Sequence, residues 1–296
     1  LHGLTYKYGF LITELWLPQI ESANLVDAFI TRNLKITDLI PTPFLIFPKK
    51  GDHLQGIQIL IKEYQAKITQ PWDLAVDQLL REKIEKLTPA IPIISEETVN
   101  TSEENKYKNF WLIDPIDGTK DYIKKKDEYT INAALIINLE PSLGIIYAPE
   151  KGRLFYSYGS GNAFELCNNK TISLNCLKKT EKGKVFALHN SSMLTPDIVH
   201  AHEENNVFSC TKMSSSLKFC IIAAGEADLY IAGARAYEWD IAAGHAIVEH
   251  AGGYFTTTGR KKLFYGNFGT RILNPIITLT IRNTILRTTC SIIART

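Results

Sequence analysis

Apolar and polar positions along this chain follow two periods. In 73–87, DLAVDQLLREKIEKL, the residues Leu74, Val76, Leu79, Leu80, Ile84 and Leu87 recur at helical spacing. Asp73 suits the N-cap and Pro89 the stop. Short apolar runs bounded by acids, Gly or Pro come next: IPIIS at 91–95, Phe110 to Ile113, 129–138, 143–149 and 153–159. They predict successive strands. In the second half, 184–190 predicts a strand, Leu217 to Ala224 a helix, and Ala227 to Ile231 a strand. A further helix is predicted to open at Asp240 and to close at Gly252-Gly253. GIQILIKEYQAK, from Gly56, reads as a short helix or strand. Residues 1–55 give no clear pattern, because three prolines fall within KITDLIPTPFLIFPKKGD.

Composition narrows the class. Of 296 residues, 45% are hydrophobic and 22% charged, which suits an ordinary globular chain that needs no staple. The net charge of +2 hides an asymmetry: no acid follows Glu249, whereas seven Lys and Arg do. The remainder carries 26 basic against 31 acidic residues, a poor surface for nucleic acid, so no nucleic-acid partner is expected. Five scattered cysteines without a C-x-x-C pair suggest reduced thiols, and no Cys/His spacing suits zinc. Lys7, Glu14 and Pro18 interrupt the apolar start, which does not read as a signal peptide, and no run approaches the ~20 apolar residues of a membrane span.

The chemistry lies where strands end in acids. Asp114 follows the WLI run, and Asp117 lies three residues on, in D-P-I-D-G-T. Pro115 fixes φ and Gly118 permits a tight turn, so two carboxylates and a carbonyl can converge. Mg²⁺ takes such hard oxygen ligands together with retained waters. Thr119 adds a hydroxyl. Taken singly, D-x-x-D, Ser95-Glu96-Glu97 and the Trp239-Asp240 pair read as a solvated turn, surface charge and a helix cap.

Together, and in this order, SEE at 95–97, WLIDPIDGTKDYI at 111–123 and EWDIAAGHAIVEHAGG at 238–253 resemble the inositol monophosphatase-like superfamily of metal-dependent phosphatases. LTPAIPIISEE, DEYTINAAL, LGIIYAPEKGRLFYS and SSSLKFC make the chain most similar to the bacterial 3′(2′),5′-bisphosphate nucleotidases of sulfur assimilation. The resemblance covers about residues 73–265. It implies an α/β (α+β) fold, the layered αβαβα sandwich of the inositol monophosphatase and fructose-1,6-bisphosphatase type. The expected division is an uncertain segment 1–55, a metal-binding part 56–180, a substrate-selecting part 181–265 and a basic tail 266–296.

The resemblance also implies roles. Two or three Mg²⁺ ions would be held by Glu96, Asp114, the Ile116 carbonyl, Asp117 and Asp240. Asp73 and Thr119 would orient and deprotonate the attacking water. Glu96, Asp117, Gly118, Thr119, Ser216, Lys218 and Asp240 would meet the substrate, Ser216 and Lys218 at the phosphate that is not cut. The expected substrate is a nucleotide bisphosphate, 3′-phosphoadenosine 5′-phosphate giving AMP and phosphate. The expected location is the cytoplasm, with peripheral contact at the inner membrane left open. Lys218 as a surface lysine, His189 and Ser191 as plain loop residues, and Glu238 meeting either a sugar hydroxyl or solvent stay as alternatives. Trp72 stands where the family has a small residue, which puts the placing of Asp73 in doubt. The rival functions are an inositol or sugar phosphate phosphatase of the same superfamily, or a catalytically impaired relative that binds nucleotide.

Overall fold

The computed structural model describes residues 72–99, 106–176, 184–190, 194–232, 236–257, 262–267 and 276–279. The segments expected before residue 72, Ser191 and most of the basic tail lie outside them, as does the side chain of Trp72. The chain divides into two compact units, 1–90 and 91–296.

In the first unit the described element is helix α1 (Trp72–Leu87). It begins one residue earlier than expected, so Asp73 sits in the first turn, where a negative charge complements the helix dipole. Ala75, Val76, Leu80 and Ile84 are buried and form the apolar stripe. Arg81 pairs with Asp77 one turn before it at 2.8 Å. Thr88 ends the helix by donating its hydroxyl to the Ile84 carbonyl.

The second unit holds two sheets. The first has seven strands in chain order: β1 (Ile93–Ser95), β2 (Phe110–Asp117), β3 (Thr130–Ile137), β4 (Glu140–Ala148), β5 (Arg153–Ser157), β6 (Ala163–Cys167) and β7 (Lys170–Ser173). β1 runs parallel to β2, and the rest form an antiparallel meander. All eight residues of β3 are buried, because the strand is central and covered on both faces. β7 closes the edge as a short, exposed strand whose Lys170, Thr171 and Ser173 are polar. The second sheet uses β8 (Val185–His189), β9 (Val207–Lys212), β10 (Leu229–Ala232), β11 (Tyr254–Thr257) and β12 (Ile276–Leu279), in the order β11-β12-β10-β8-β9.

Helices α4 (Leu217–Ala223) and α5 (Glu238–His250) pack between the sheets, α5 against β2, β3, β4 and β5 on one side and β11 on the other. Helix α3 (Pro196–Glu204) covers the far side of the second sheet, where Ala201 joins Val185, Ala187, Leu229 and Ile231. A five-residue helix, α2 (Thr119–Ile123), follows β2. Sheet, helices, sheet and helix are thus four of the layers the resemblance implies.

Close backbone approach explains the small residues of α5. A Cβ on Gly144 would collide with the Ala243 carbonyl, and one on Gly244 with the Phe219 ring. Glycine at these two points lets β4 and α4 seat α5 at short range.

Candidate active site

The four acids come from three chain segments that end at one place. β1 and β2 lie side by side, with Ser95 opposite Ile113. Glu96 follows β1, its N–H bonded to the Ile113 carbonyl at 3.2 Å. Asp114 lies within β2, opposite Asn132 of β3. The strand does not stop at Ile113 as expected; it continues to Asp117 through an irregularity between Asp114 and Asp117. That irregularity accommodates Pro115, which has no N–H for a regular ladder. Gly118, at φ +90°, then turns the chain into α2, a conformation that a side chain would strain. Asp240 is the third residue of α5, not its first, and one carboxylate oxygen accepts the Tyr237 N–H at 2.8 Å.

Ligand oxygens of Glu96, Asp114 and Asp240 all lie within 4.8 Å of one another. Asp114 is fully buried, and neither of its oxygens accepts a close hydrogen bond. Burial first, and then the charges of Asp117, Glu96 and Asp240, push its carboxyl well above the usual range. Asp240 is pushed up to about 7 by burial and by Asp117. Glu96 is raised by desolvation, partly offset by Asp114. Asp117 is raised by burial, against the opposing effects of Lys218, the Ser216 N–H and the Asn132 amide. Crowded carboxylates, with neither oxygen of the buried Asp114 meeting a close donor, are what a hard divalent cation neutralises, so these residues fit Mg²⁺. The Ile116 carbonyl accepts the Thr119 hydroxyl at 3.0 Å and keeps a second lone pair.

A cleft of about 700 Å³ opens beside Asp117, Gly118, Thr119 and Asp240. Lys120, Lys124, Lys126, Lys212 and Lys218 line it. Its apolar wall comes from Phe219, Tyr230, Ala232, Ala236 and Ile241. Spacing of the motifs gave no hint of Lys124, Lys126 or Lys212, because isolated lysines carry no pattern.

Several expectations need correction. Lys218 is not a surface lysine: it is buried, donates to the Ser215 carbonyl, and faces Asp117 and Asp240. Ser216 is fully buried, and its hydroxyl donates to Asn132 Oδ1 at 2.6 Å, so the side chain points into the protein and not at the cleft. Glu238 meets neither sugar nor solvent: it is buried and accepts the N–H groups of Gly266 and Asn267 at 2.7 and 2.9 Å. His189 ends β8 half-buried, and its carbonyl accepts the Met213 N–H. Asp73 belongs to the first unit, in the first turn of α1.

The family model for the inositol monophosphatase family matches residues 47–291. The chain belongs to that family. The match runs past both ends of the 73–265 stretch on which the motifs rest. The family's members are phosphatases, and this chain is one by membership. It is 36% identical over 196 residues to the 3′(2′),5′-bisphosphate nucleotidase CysQ of Salmonella typhimurium, covering 65% of this chain and 77% of that protein. It is 29% identical over 254 residues to the enzyme of the same name from Aggregatibacter actinomycetemcomitans, covering 81% and 91%. Among solved structures it is similar to CysQ from Bacteroides thetaiotaomicron, a bacterial member of the family, with a TM-score of 0.60, 28% identity, and 70% and 84% coverage. Inositol monophosphatase II from Staphylococcus aureus shares the fold, with a TM-score of 0.64, 19% identity, and 80% and 90% coverage. Among the described residues no helix is long and apolar enough to cross a membrane.

Proposed function

We propose that this family member is a Mg²⁺-dependent 3′(2′),5′-bisphosphate nucleotidase that converts 3′-phosphoadenosine 5′-phosphate to AMP and phosphate. The observation that carries the reading is the lysine-lined cleft opening beside the acid cluster. Its volume of about 700 Å³ suits a nucleotide, and its apolar wall suits a base and ribose. A lone phosphomonoester needs few cations beyond its metal; a second phosphate gives the lysines something to neutralise. The similarity to proteins named 3′(2′),5′-bisphosphate nucleotidase agrees with this.

In this reading Glu96, Asp114 and Asp240 hold the cation, with Asp117 and the Ile116 carbonyl as the further oxygen donors. Bound Mg²⁺ supplies Lewis-acid charge for in-line phosphoryl transfer to water. The Thr119 hydroxyl spends its one proton on the Ile116 carbonyl. Its lone pairs therefore remain to accept a hydrogen bond from the attacking water and to orient it. Asp73 takes that water's proton, the role the family resemblance assigns it. Lys218 offsets charge at the phosphate that stays. In this reading the part before about residue 180 supplies most of the metal ligands, and the part after it supplies Asp240 and Lys218.

The test is a phosphate-release panel with saturating Mg²⁺: 3′-phosphoadenosine 5′-phosphate, its sulfated form, inositol 1-phosphate, fructose 1,6-bisphosphate and AMP. The expected result is highest kcat/KM for 3′-phosphoadenosine 5′-phosphate. Preference for inositol 1-phosphate or the sugar bisphosphate would replace the substrate and keep the phosphatase. No turnover with any of them would favour a nucleotide-binding relative without activity.

A further inference from the structure

Glu238 and Asp240 leave the first turn of α5 in nearly opposite directions, because residues two apart on a helix point about 200° apart. Asp240 turns toward Glu96 and Asp114. Glu238 turns toward the segment 262–267, is buried, and accepts the Gly266 N–H at 2.7 Å and the Asn267 N–H at 2.9 Å. Two turns further along the same face, His245 Nδ1 lies 2.9 Å from the Tyr265 hydroxyl, and both side chains are buried. The segment is itself anchored to the β3–β4 turn. The Tyr265 N–H bonds the Leu139 carbonyl at 2.9 Å, and Lys262 pairs with Glu140 at 2.7 Å. It is a strap, fixed to the first sheet, that grips the start of α5 through one carboxylate.

That grip opposes a force. Ligand oxygens of Glu96, Asp114 and Asp240 lie within 4.8 Å of one another, and like charges so close repel. Glu96 and Asp114 are carried by the paired strands β1 and β2, whereas Asp240 rides on a helix end. Repulsion therefore drives the first turn of α5 outward, toward the strap. The Tyr237 N–H that Asp240 accepts belongs to the same turn and moves with it. The close contacts at Gly144 and Gly244 seat residues 243, 244 and 246, past that turn. A carboxylate held by two backbone N–H groups makes charge-assisted bonds, stronger than neutral ones.

We propose that Glu238 is a positioning residue: gripped by the Gly266 and Asn267 N–H groups, it holds Asp240 beside Glu96 and Asp114 against their mutual repulsion, so that the site keeps its metal-binding geometry before the cation arrives. The inference rests on the metal-binding reading above. A site held ready need not be rebuilt on binding, so loss of the grip lowers Mg²⁺ affinity. Linkage makes the effect reciprocal: bound Mg²⁺ tightens the grip by the same factor.

The experiment uses the full chain. Glu238→Gln keeps the shape but replaces one acceptor oxygen with a donor, so one of the two N–H groups loses its partner. Calorimetry should show Mg²⁺ binding about tenfold weaker, and excess Mg²⁺ should restore kcat to within about twofold. Tyr265→Phe loosens the strap two turns away; it should lower Tm and leave Mg²⁺ affinity within about twofold. In the wild type, Mg²⁺ should slow amide exchange at Gly266 and Asn267 about tenfold more than at Gly161, whose N–H bonds the His250 carbonyl at the far end of α5. That measurement needs no variant, so it decides the question even where Glu238→Gln fails to fold. Unchanged Mg²⁺ affinity in folded Glu238→Gln, equal weakening by Tyr265→Phe, or equal slowing at all three amides overturns the proposal. Wild-type protein that binds no Mg²⁺ at all overturns the metal reading beneath it, a separate result.

Discussion

Asp114→Asn removes one negative charge from a buried cluster, so it should stabilise the metal-free protein while destroying its function. Two ionised carboxylates 4.8 Å apart repel by about 3.5 kcal/mol at an effective dielectric constant of about 20. Partial protonation already relieves some of this, because the Asp114 carboxyl is raised well above its ordinary value. A gain of about 2–3 kcal/mol at pH 8 is the expected remainder, and an asparagine N–H can donate to Glu96 or Asp240. For a chain of 296 residues that is roughly 3–5 °C in Tm. The sign with pH follows from proton binding. Asp114 and Asp240, the latter at about 7, hold protons in the native state that the unfolded chain has released. Wild-type stability in chelator therefore falls as pH rises from about 4 to 8, and the advantage of the variant grows over the same window. Saturating Mg²⁺ reverses the order, adding about 2.7 kcal/mol to the wild type at a hundred times its Kd and little to the variant. Thermal melts of both proteins at pH 5 and pH 8, in chelator and in Mg²⁺, test this. A variant that melts below wild type in chelator at pH 8, or equal Mg²⁺ shifts in both, refutes the reasoning.

Lys218→Ala should lower kcat/KM for 3′-phosphoadenosine 5′-phosphate by roughly ten- to a hundredfold and for a monophosphate much less; equal losses would make Lys218 a counter-charge for Asp117 and Asp240 only. Excess chelator should abolish turnover, and Ca²⁺ should inhibit, since its longer and looser coordination misplaces the reacting oxygen; full activity in chelator would end the metal reading. Asp73→Ala and Thr119→Ala should each lower kcat by about 10²-fold with KM nearly unchanged, which steady-state kinetics resolves. Glu238→Ala should destabilise by about 2–4 kcal/mol in chemical denaturation, because the Gly266 and Asn267 N–H groups lose a charged acceptor.

Much of the second unit was legible from pattern. β1, β3, β4 and β5 are apolar runs between turn residues, and the structure moves their ends by three residues at most. β9 was not legible, because VFSCTK is an exposed strand with no run of buried apolar residues. β2 was cut short because proline argues against a strand interior, and only the three-dimensional ladder reveals the irregularity that tolerates Pro115. The acids stood out because separate motifs supplied them in a specific order. The motif around Ser216 suggested a hydroxyl at the substrate, and the structure turns it inward to Asn132 and Thr130, a direction that a one-dimensional pattern cannot give. Asn132 lay in plain view within a strand, but the hydroxyl that binds its amide oxygen is 84 residues away at Ser216.

The tight seat of α5 bears on ion discrimination. Asp240 is rooted in a helix whose distance from β4 is set by the missing side chain at Gly144, and from α4 by that at Gly244. Coordination distances for Mg²⁺ are short and narrowly defined, whereas Ca²⁺ accepts a wider, looser cage. A single methyl at Gly144 would strike the Ala243 carbonyl, three residues on from Asp240, and would wedge the helix outward and enlarge the cage. In the proposed site this close packing would act as a calliper for ionic radius, and Gly144→Ala should shift preference toward larger divalent cations, read by comparing Mg²⁺ and Ca²⁺ binding in the two proteins.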